Sequence, residues 1–296
     1  PNFLRTKKQN KSIKIDRRLF WGMEIIKVLS AKVKLRRLKQ FMLSRARRIL
    51  VINGKGGCGK TTIATNLAVT FSTLGHRIAL MDNDPQGSSA QWAELRPERL
   101  PAVNTVASHQ RPNMYQTSSF HNRVPNNTEI IIVDGHSNAR GKDLDSLLRQ
   151  TDLILVPILP SSIDIRAGSR FITDLVTNKL FRIHPRPIGV IANRVQPNTE
   201  NHYKLMNFLS CLDVPAVAQF RDSPVYVDAA EEGLGILDMI DIRAARKEAI
   251  SWKNLVKWIN SNLSIEEPSS TTKKAKQPLA ASRNEGTAQK DQPTTA

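Results

Sequence analysis

Two lysines share one glycine-rich stretch, "VINGKGGCGKTT" from Val51 to Thr62, and the second of them defines a chemistry. Gly54, Gly59, Lys60 and Thr61 fit the spacing G-x-x-x-x-G-K-[ST], in which glycines let the backbone aim its N–H groups at phosphate oxygens. Lys60 is then the residue that reaches the outer phosphates, and Thr61 the one that holds Mg²⁺. Lys55 is surplus to that pattern, and nothing in the spacing alone accounts for it. Further along, "EIIIVD" closes an apolar run on Asp134, an order suited to holding Mg²⁺ directly or through water. "RIALMD" runs into "DNDPQGSS", which brings Asp82 and Asp84 to the mouth of the same loop; helix capping or an Asp-Pro turn is the alternative use for both. Asn193, in "NRV", follows a strand where a base would lie, and its amide can donate to and accept from adenine.

Such residues need a scaffold that delivers them to one place. "RILVIN" (48 to 53) has the apolar run of a buried parallel strand, and "TTIATNLAVTFSTLG" has helical length and stops at Gly75, so the loop joins a strand to a helix. The positive end of that helix faces the same anion. Similar runs occur at 77–82, 129–134, 152–158, 186–193 and 214–220, with helix-length segments between most of them. The alternation predicts an α/β fold with a doubly wound, mainly parallel sheet, in which ligands bind at the carboxyl ends of the strands.

Composition narrows the class. The 296 residues suffice for one large α/β domain with tails, and no apolar run approaches the ~18 residues of a membrane span. The two cysteines, Cys58 and Cys211, cannot make a disulfide framework or a four-cysteine metal site. Cys58 sits within the phosphate loop, as a small filler or as a redox switch. The net charge of +18 is uneven: residues 1–48 hold sixteen Lys and Arg against Asp16 and Glu24, whereas 49–264 hold 23 against 20 acids. Leu19, Met23, Ile26 and Leu29 have helical spacing in the basic segment, which suits a membrane surface, a DNA backbone or an acidic partner. A competing expectation is that residues 1–41 are untranslated upstream sequence or a poorly ordered extension, with Met42 the start. From Glu266 the chain is polar and rich in Ser, Thr, Pro and Lys, the composition of a disordered tail. The expected division is thus a basic extension at 1–47, a nucleotide-binding domain at 48–263 and a disordered tail at 264–296.

Taken together, "KGGCGKTT", "MDNDPQGSS", "IIIVDG", "VPILPSSIDI" and "RDSPVYVDAAEEGLGILDM" resemble the ParA/MinD family of deviant Walker A (P-loop) ATPases, in its short ParA branch, over about residues 47–262. The resemblance gives Lys55 a role: it is the signature lysine that crosses a nucleotide-sandwich dimer to the phosphates of the other subunit, much as an arginine finger does. It implies that Gly56, Gly57, Cys58, Gly59, Lys60, Thr61 and Thr62 cradle ATP and Mg²⁺. Asp84 would position the attacking water, Asp82 and Asp134 would support the metal, Asn193 would meet adenine, and "FRDSPVYVDAA" would close over the base. It also implies a slow, partner-stimulated ATPase that pairs on ATP, coats nucleoid DNA without sequence preference and answers to a ParB-like or cargo adaptor protein. Such an ATPase would partition a plasmid or chromosome, or position another cargo, in a cytoplasmic, nucleoid-associated setting. Candidate DNA contacts are Arg221, Arg243, Arg246, Lys247, Lys253 and Lys257, which could equally form a solvated helix face.

One departure is "DGHS" after Asp134, where relatives carry prolines; His136 there is either a solvent-facing loop residue or a contact to the γ-phosphate or attacking water. Three rivals are weighed. A MinD-like membrane-associated ATPase needs a carboxyl-terminal amphipathic anchor that residues 264–296 do not supply. An iron–sulfur reductase needs two cysteines beyond the loop, and only Cys211 lies there. A metabolic P-loop enzyme needs a substrate pocket that the sequence does not reveal.

Overall fold

The computed structural model describes residues 45–107, 124–137 and 139–266. The basic segment up to residue 44, on which the amphipathic-helix and extension expectations fall, and the tail from 267 lie outside the described residues. The chain divides into a unit of residues 1–47 and one of 48–296, and the elements below belong to the second apart from Arg47, where the first strand starts.

Seven strands form one sheet: β1 (Arg47–Val51), β2 (Ile78–Asp82), β3 (Asn104–Ala107), β4 (Ile130–Asp134), β5 (Leu153–Ile158), β6 (Ile188–Val195) and β7 (Ala216–Arg221). Their order is β3-β2-β4-β1-β5-β6-β7, and the registers of β2 with β3 and β4, β1 with β5, β5 with β6 and β6 with β7 are all parallel. Helices α1 (Lys60–Thr73), α2 (Ser88–Glu94), α3 (Lys142–Gln150), α4 (Ser162–Thr177), α5 (Lys179–Ile183), α6 (Glu200–Ser210), α7 (Val225–Glu231) and α8 (Arg243–Leu263) supply the crossovers and the final cover. A 3₁₀ turn, Ile236–Met239, precedes α8.

β4 and β5 are buried along their whole length, which is why their sequences read as unbroken apolar runs and not as alternations. Because β1 lies at the middle of the sheet, the loop leaving its carboxyl end is at the crevice between strands that run out to either side. α1 is buried on almost every side: Ile63, Leu67 and Phe71 pack into the core, and Ala64 and Ala68 let the helix approach closely. Burying each large apolar side chain of this kind contributes roughly 1.5–3 kcal/mol. A polar residue at the same depth requires a partner, and Asn66 finds one by accepting a 2.8 Å hydrogen bond from the Ile236 amide. The first helix ends at Thr73, with Gly75 just beyond at φ +99°, a left-handed position natural to glycine.

β3 is a strand that the run-by-run reading does not contain. Four residues, "NTVA", are too short to register as a run, and β3 exists because parallel pairing with β2 supplies its hydrogen bonds. β7 spans Ala216–Arg221 rather than 214–220, and its partly exposed pattern is that of a sheet edge.

Candidate nucleotide site

The loop between β1 and α1 turns on two left-handed glycines, Gly57 at φ +74° and Gly59 at φ +90°. Gly59 has a second reason to lack a side chain: a Cβ there would lie 2.2 Å from the Asn193 amide nitrogen. Asn193, at the end of β6, donates from Nδ2 to the Cys58 carbonyl at 2.9 Å, so this amide group braces the loop from beneath. Asn53 does the same from the other flank, donating to the Pro157 carbonyl at 2.7 Å and accepting from the Lys55 amide at 3.2 Å. Lys60 is buried, and its ammonium donates to the Lys55 carbonyl at 3.2 Å. Cys58 is buried too; burial pushes its thiol up despite Lys60 nearby, which keeps it protonated and works against a redox role.

The strand-end carboxylates behave differently from one another. Asp82 and Asp134 are paired in register at the ends of adjacent strands β2 and β4. Asp82 accepts from the amides of Asp84 (3.0 Å) and Ala90 (2.9 Å), so it ties the turn after β2 to the first turn of α2. That is the capping use raised as the alternative for this residue. Asp134 is 1% exposed, yet neither of its oxygens has a hydrogen-bond partner. Burial pushes its carboxyl up to about 7, and the nearby Asp82 adds to the shift; Thr61, Lys60 and Ser89 oppose it, although neither hydroxyl reaches the carboxylate with hydrogen-bond geometry. An orphaned buried carboxylate beside a phosphate-type loop fits a divalent cation. Among the described residues no group of three or more His, Cys, Asp or Glu could hold a metal, so such an ion would take its other ligands from a nucleotide's phosphates and water.

A cleft of about 1100 Å³ opens above the loop. It brings together Gly56, Gly57, Gly59, Lys60, Thr61 and Thr62 with Asp84, His136, Asn193 and Arg221. His136 borders this cleft, half-buried, on the short link after β4. The wall opposite the loop is the start of α7 and the residues before it, including Asp222, Ser223, Tyr226 and Val227. Asp84 accepts from the Gln86 amide at 3.0 Å within its own turn and also borders the cleft. Lys55, Gly54, Cys58, Asp82 and Asp134 are not among the lining residues. Gly54 instead packs against the Phe171 ring.

Three pairings in and around the site could not be read from the sequence. Arg194, in the left-handed region at φ +50°, donates from Nε to Asp222 at 2.9 Å, and this hydrogen bond holds the Asp222 carboxyl below its ordinary range. Glu248 of α8, buried, accepts from the Tyr226 hydroxyl (3.0 Å) and the Arg221 amide (3.3 Å), while Trp252 donates to the Tyr226 oxygen at 3.2 Å. Burial and Glu248 push the Tyr226 phenol up, so it remains a donor. Asp164, near the start of α4, lies 3.2 Å from the Lys55 ammonium. Each links residues dozens of positions apart, so only adjacency of strands could reveal them.

The six candidate DNA contacts do not form one group. Arg221 borders the cleft and lies 3.7 Å from Glu248, whereas Arg243, Arg246, Lys247, Lys253 and Lys257 are exposed on α8. Arg246 is partly engaged, donating to the carbonyls of Ile240 and Asp241.

Comparison with known proteins agrees with this geometry. The "Maintenance of carboxysome distribution protein A" of Halothiobacillus neapolitanus is 27% identical over 198 residues, covering 66% of this chain and 89% of that protein. Among solved structures, a putative plasmid partition protein from Borrelia burgdorferi bound to AMPPNP superposes with a TM-score of 0.55 at 14% identity, over 73% of this chain and 99% of that one. The septum site-determining protein MinD of Pyrococcus horikoshii, complexed with Mg-ADP, gives 0.53 at 15% identity, over 73% and 96%. At such identities the structural likeness speaks for the fold. The family described as the CobQ/CobB/MinD/ParA nucleotide binding domain matches residues 49–234, well over half of the 296, and the protein belongs to that family.

Proposed function

We propose that this protein is an ATP-driven positioning ATPase of the ParA type, which pairs with a second copy on binding ATP, holds non-specifically to DNA and is released when a partner protein stimulates hydrolysis. The observation that carries the reading is the buried, unpartnered Asp134 carboxylate beside a loop whose Lys60 ammonium donates, among the described residues, to the Lys55 carbonyl alone. Both groups await an occupant of opposite charge, and ATP with Mg²⁺ provides one for each.

In this reading the loop amides and Lys60 bind the phosphates, with Lys60 leaving the Lys55 carbonyl to do so. The base lies against the wall around Tyr226, and Asn193 keeps the loop in shape for it. Thr61 and Asp134 would hold Mg²⁺, which when bound would supply charge neutralisation at the transferring phosphoryl group. Asp84 orients the attacking water from the turn after β2, and His136 borders the same space. Lys55 belongs to the second subunit's site, so the reaction is slow until two chains close. The exposed cations of α8 give the DNA contact, a sequence-independent one that weakens steeply with salt. The cargo class is suggested by similar proteins named for carboxysome distribution and plasmid partition. Co-sedimentation of the full chain with DNA tests the whole: binding is expected with ATP, not with ADP, not for Lys55→Ala, and less at high salt. Binding that ignores nucleotide and salt would overturn the reading, and vesicle binding in its place would favour a membrane tether.

A further inference from the structure

The core-facing stripe of α8 is complete without Ile250. Ala245, Ala249, Trp252, Val256, Ile259 and Leu263 recur at helical spacing and enter the core, while Ile250 stands one position outside that stripe, 63% exposed. Ile240, just past the 3₁₀ turn, is 50% exposed, and Ile242 between them is exposed as well. A single isoleucine in solvent is ordinary, whereas a group of them around a concavity marks a contact surface. The concavity is a groove of about 380 Å³, lined by Ile240, Asp241, Arg246, Ala249, Ile250 and Lys253. Residues 246, 249, 250 and 253 share one face of α8, so the groove follows the helix, with the small, buried Ala249 at its base. Arg246 is already fixed there, donating from Nε to the Ile240 carbonyl at 3.0 Å and from Nη2 to the Asp241 carbonyl at 3.3 Å. Among the described residues nothing accepts from its Nη1. A guanidinium held in this way loses less freedom when a carboxylate joins it.

We propose that this groove docks an acidic amphipathic segment of a partner protein, whose large apolar side chain enters between Ile240 and Ile250 over Ala249 while its carboxylates meet Arg246 and Lys253. Charge selects this occupant. Residues 1–44 hold thirteen Lys and Arg against two acids, and 267–296 five against three, so neither end of this chain complements a cationic rim. A second copy offering the same face would set cations against cations. An anionic lipid surface is flat where the groove is concave, and it would press its charge on Asp241, whereas a peptide can place its acids away from that residue. In recognition of a helix by a groove, the apolar anchor gives affinity and the charged rim gives rate and selectivity. The inference rests on the proposed function only in attributing the segment to the partner protein that acts on the ATPase. Arg246 and Lys253 are also among the cations proposed for DNA, so a docked segment and DNA draw on the same two charges.

The test selects short random peptides, displayed on phage, against the full-length protein in Mg-ATP, with the Ile240→Ser/Ile250→Ser double variant as the counter-selection. The expected consensus is acidic, with large apolar residues three or four positions apart. Synthetic copies should bind the double variant at least about tenfold more weakly than wild type, and Arg246→Gln a few-fold more weakly with a shallower salt dependence. Both isoleucines are exposed, so the double variant should fold, and an unchanged affinity for a fluorescent ATP analogue checks that it does. A basic consensus, no consensus, or peptides that bind Arg246→Gln as they bind wild type would overturn the docking groove. So would vesicles of phosphatidylglycerol and phosphatidylcholine that bind wild type and not the double variant, since the groove would then be a lipid contact. Co-sedimentation of the wild type with DNA separates the two readings. Acidic peptides that dock on a protein indifferent to DNA would leave the groove standing and remove the DNA-positioning function, and ATP-dependent DNA binding with no acidic consensus would do the reverse.

Discussion

Asp134 and Glu248 are two carboxylates buried to nearly the same depth, 1% and 4% exposed, with opposite surroundings. Glu248 accepts hydrogen bonds from the Tyr226 hydroxyl and the Arg221 amide and has an arginine nearby. Asp134 has two hydroxyls and a lysine in its neighbourhood and a hydrogen bond from none of them. Burial alone therefore does not mark a functional acid. The missing partner does, because a desolvated charge left unpaired is expensive in a chain that could have satisfied it. By that measure Glu248 holds the fold, and Asp134 is the carboxylate whose surroundings fit a cation.

The sharpest way to break this contrast is Asp134→Asn. Turnover of ATP is expected to fall by about 100-fold or more and nucleotide binding to lose its Mg²⁺ dependence, while the nucleotide-free protein at pH 8 gains stability, on the order of 2–4 kcal/mol. Stability read by denaturant melts would disprove the contrast if the variant proved weaker than wild type. Glu248→Ala is the counterpart. It strands the Tyr226 hydroxyl and the Arg221 amide, so a loss of about 2–3 kcal/mol is expected, with the wall of the cleft loosened and nucleotide affinity reduced only secondarily.

A smaller effect comes from pH. The Asp134 carboxyl sits near 7 in the folded chain against an ordinary 3.8, so the folded form binds the extra proton more tightly between those values. Its contribution to the stability of the nucleotide-free protein is present below about pH 4 and is lost as pH rises to about 7. Melts of wild type and Asp134→Asn across this range should converge at the acid end and separate toward neutrality. The smallest change is expected from Lys253→Ala or Lys257→Ala on α8: DNA affinity reduced a few-fold, and a salt slope shallower by about one per cation removed. No change in that slope would remove the α8 face from the DNA contact.

Much of the site was legible because its signals are local. Gly54 to Thr62 lie in one stretch, and Asp82 and Asp134 each end an apolar run, so spacing alone brings them to one end of a parallel sheet. Spacing could not separate Asp82 from Asp134, since the distinction lies in whether the backbone amides of Asp84 and Ala90 return to the carboxylate. Asn193 was expected from its place after a strand, but the side chain's bond to the Cys58 carbonyl depends on how closely Gly59 lets two segments approach. "VPILPSSIDI" does not say what its Asp164 pairs with, and Glu248 lies in none of the quoted stretches. Their partners are 109 and 22 positions away, and the pairings exist only once β1 lies beside β5 and α8 has packed on β7.

The strand order has a consequence for the polypeptide as a string. β2, β3 and β4 occupy one side of β1 and β5, β6 and β7 the other, so each flank of the sheet is an unbroken length of chain. A break in the link between β4 and α3 would leave one fragment with the phosphate loop, Asp84 and Asp134, and another with Asn193, the wall around Tyr226 and α8. Neither fragment holds a whole nucleotide site. Reassembly of such a split protein would be drawn together by the small molecule that spans the seam, which makes the fold a natural two-piece reporter for its own ligand.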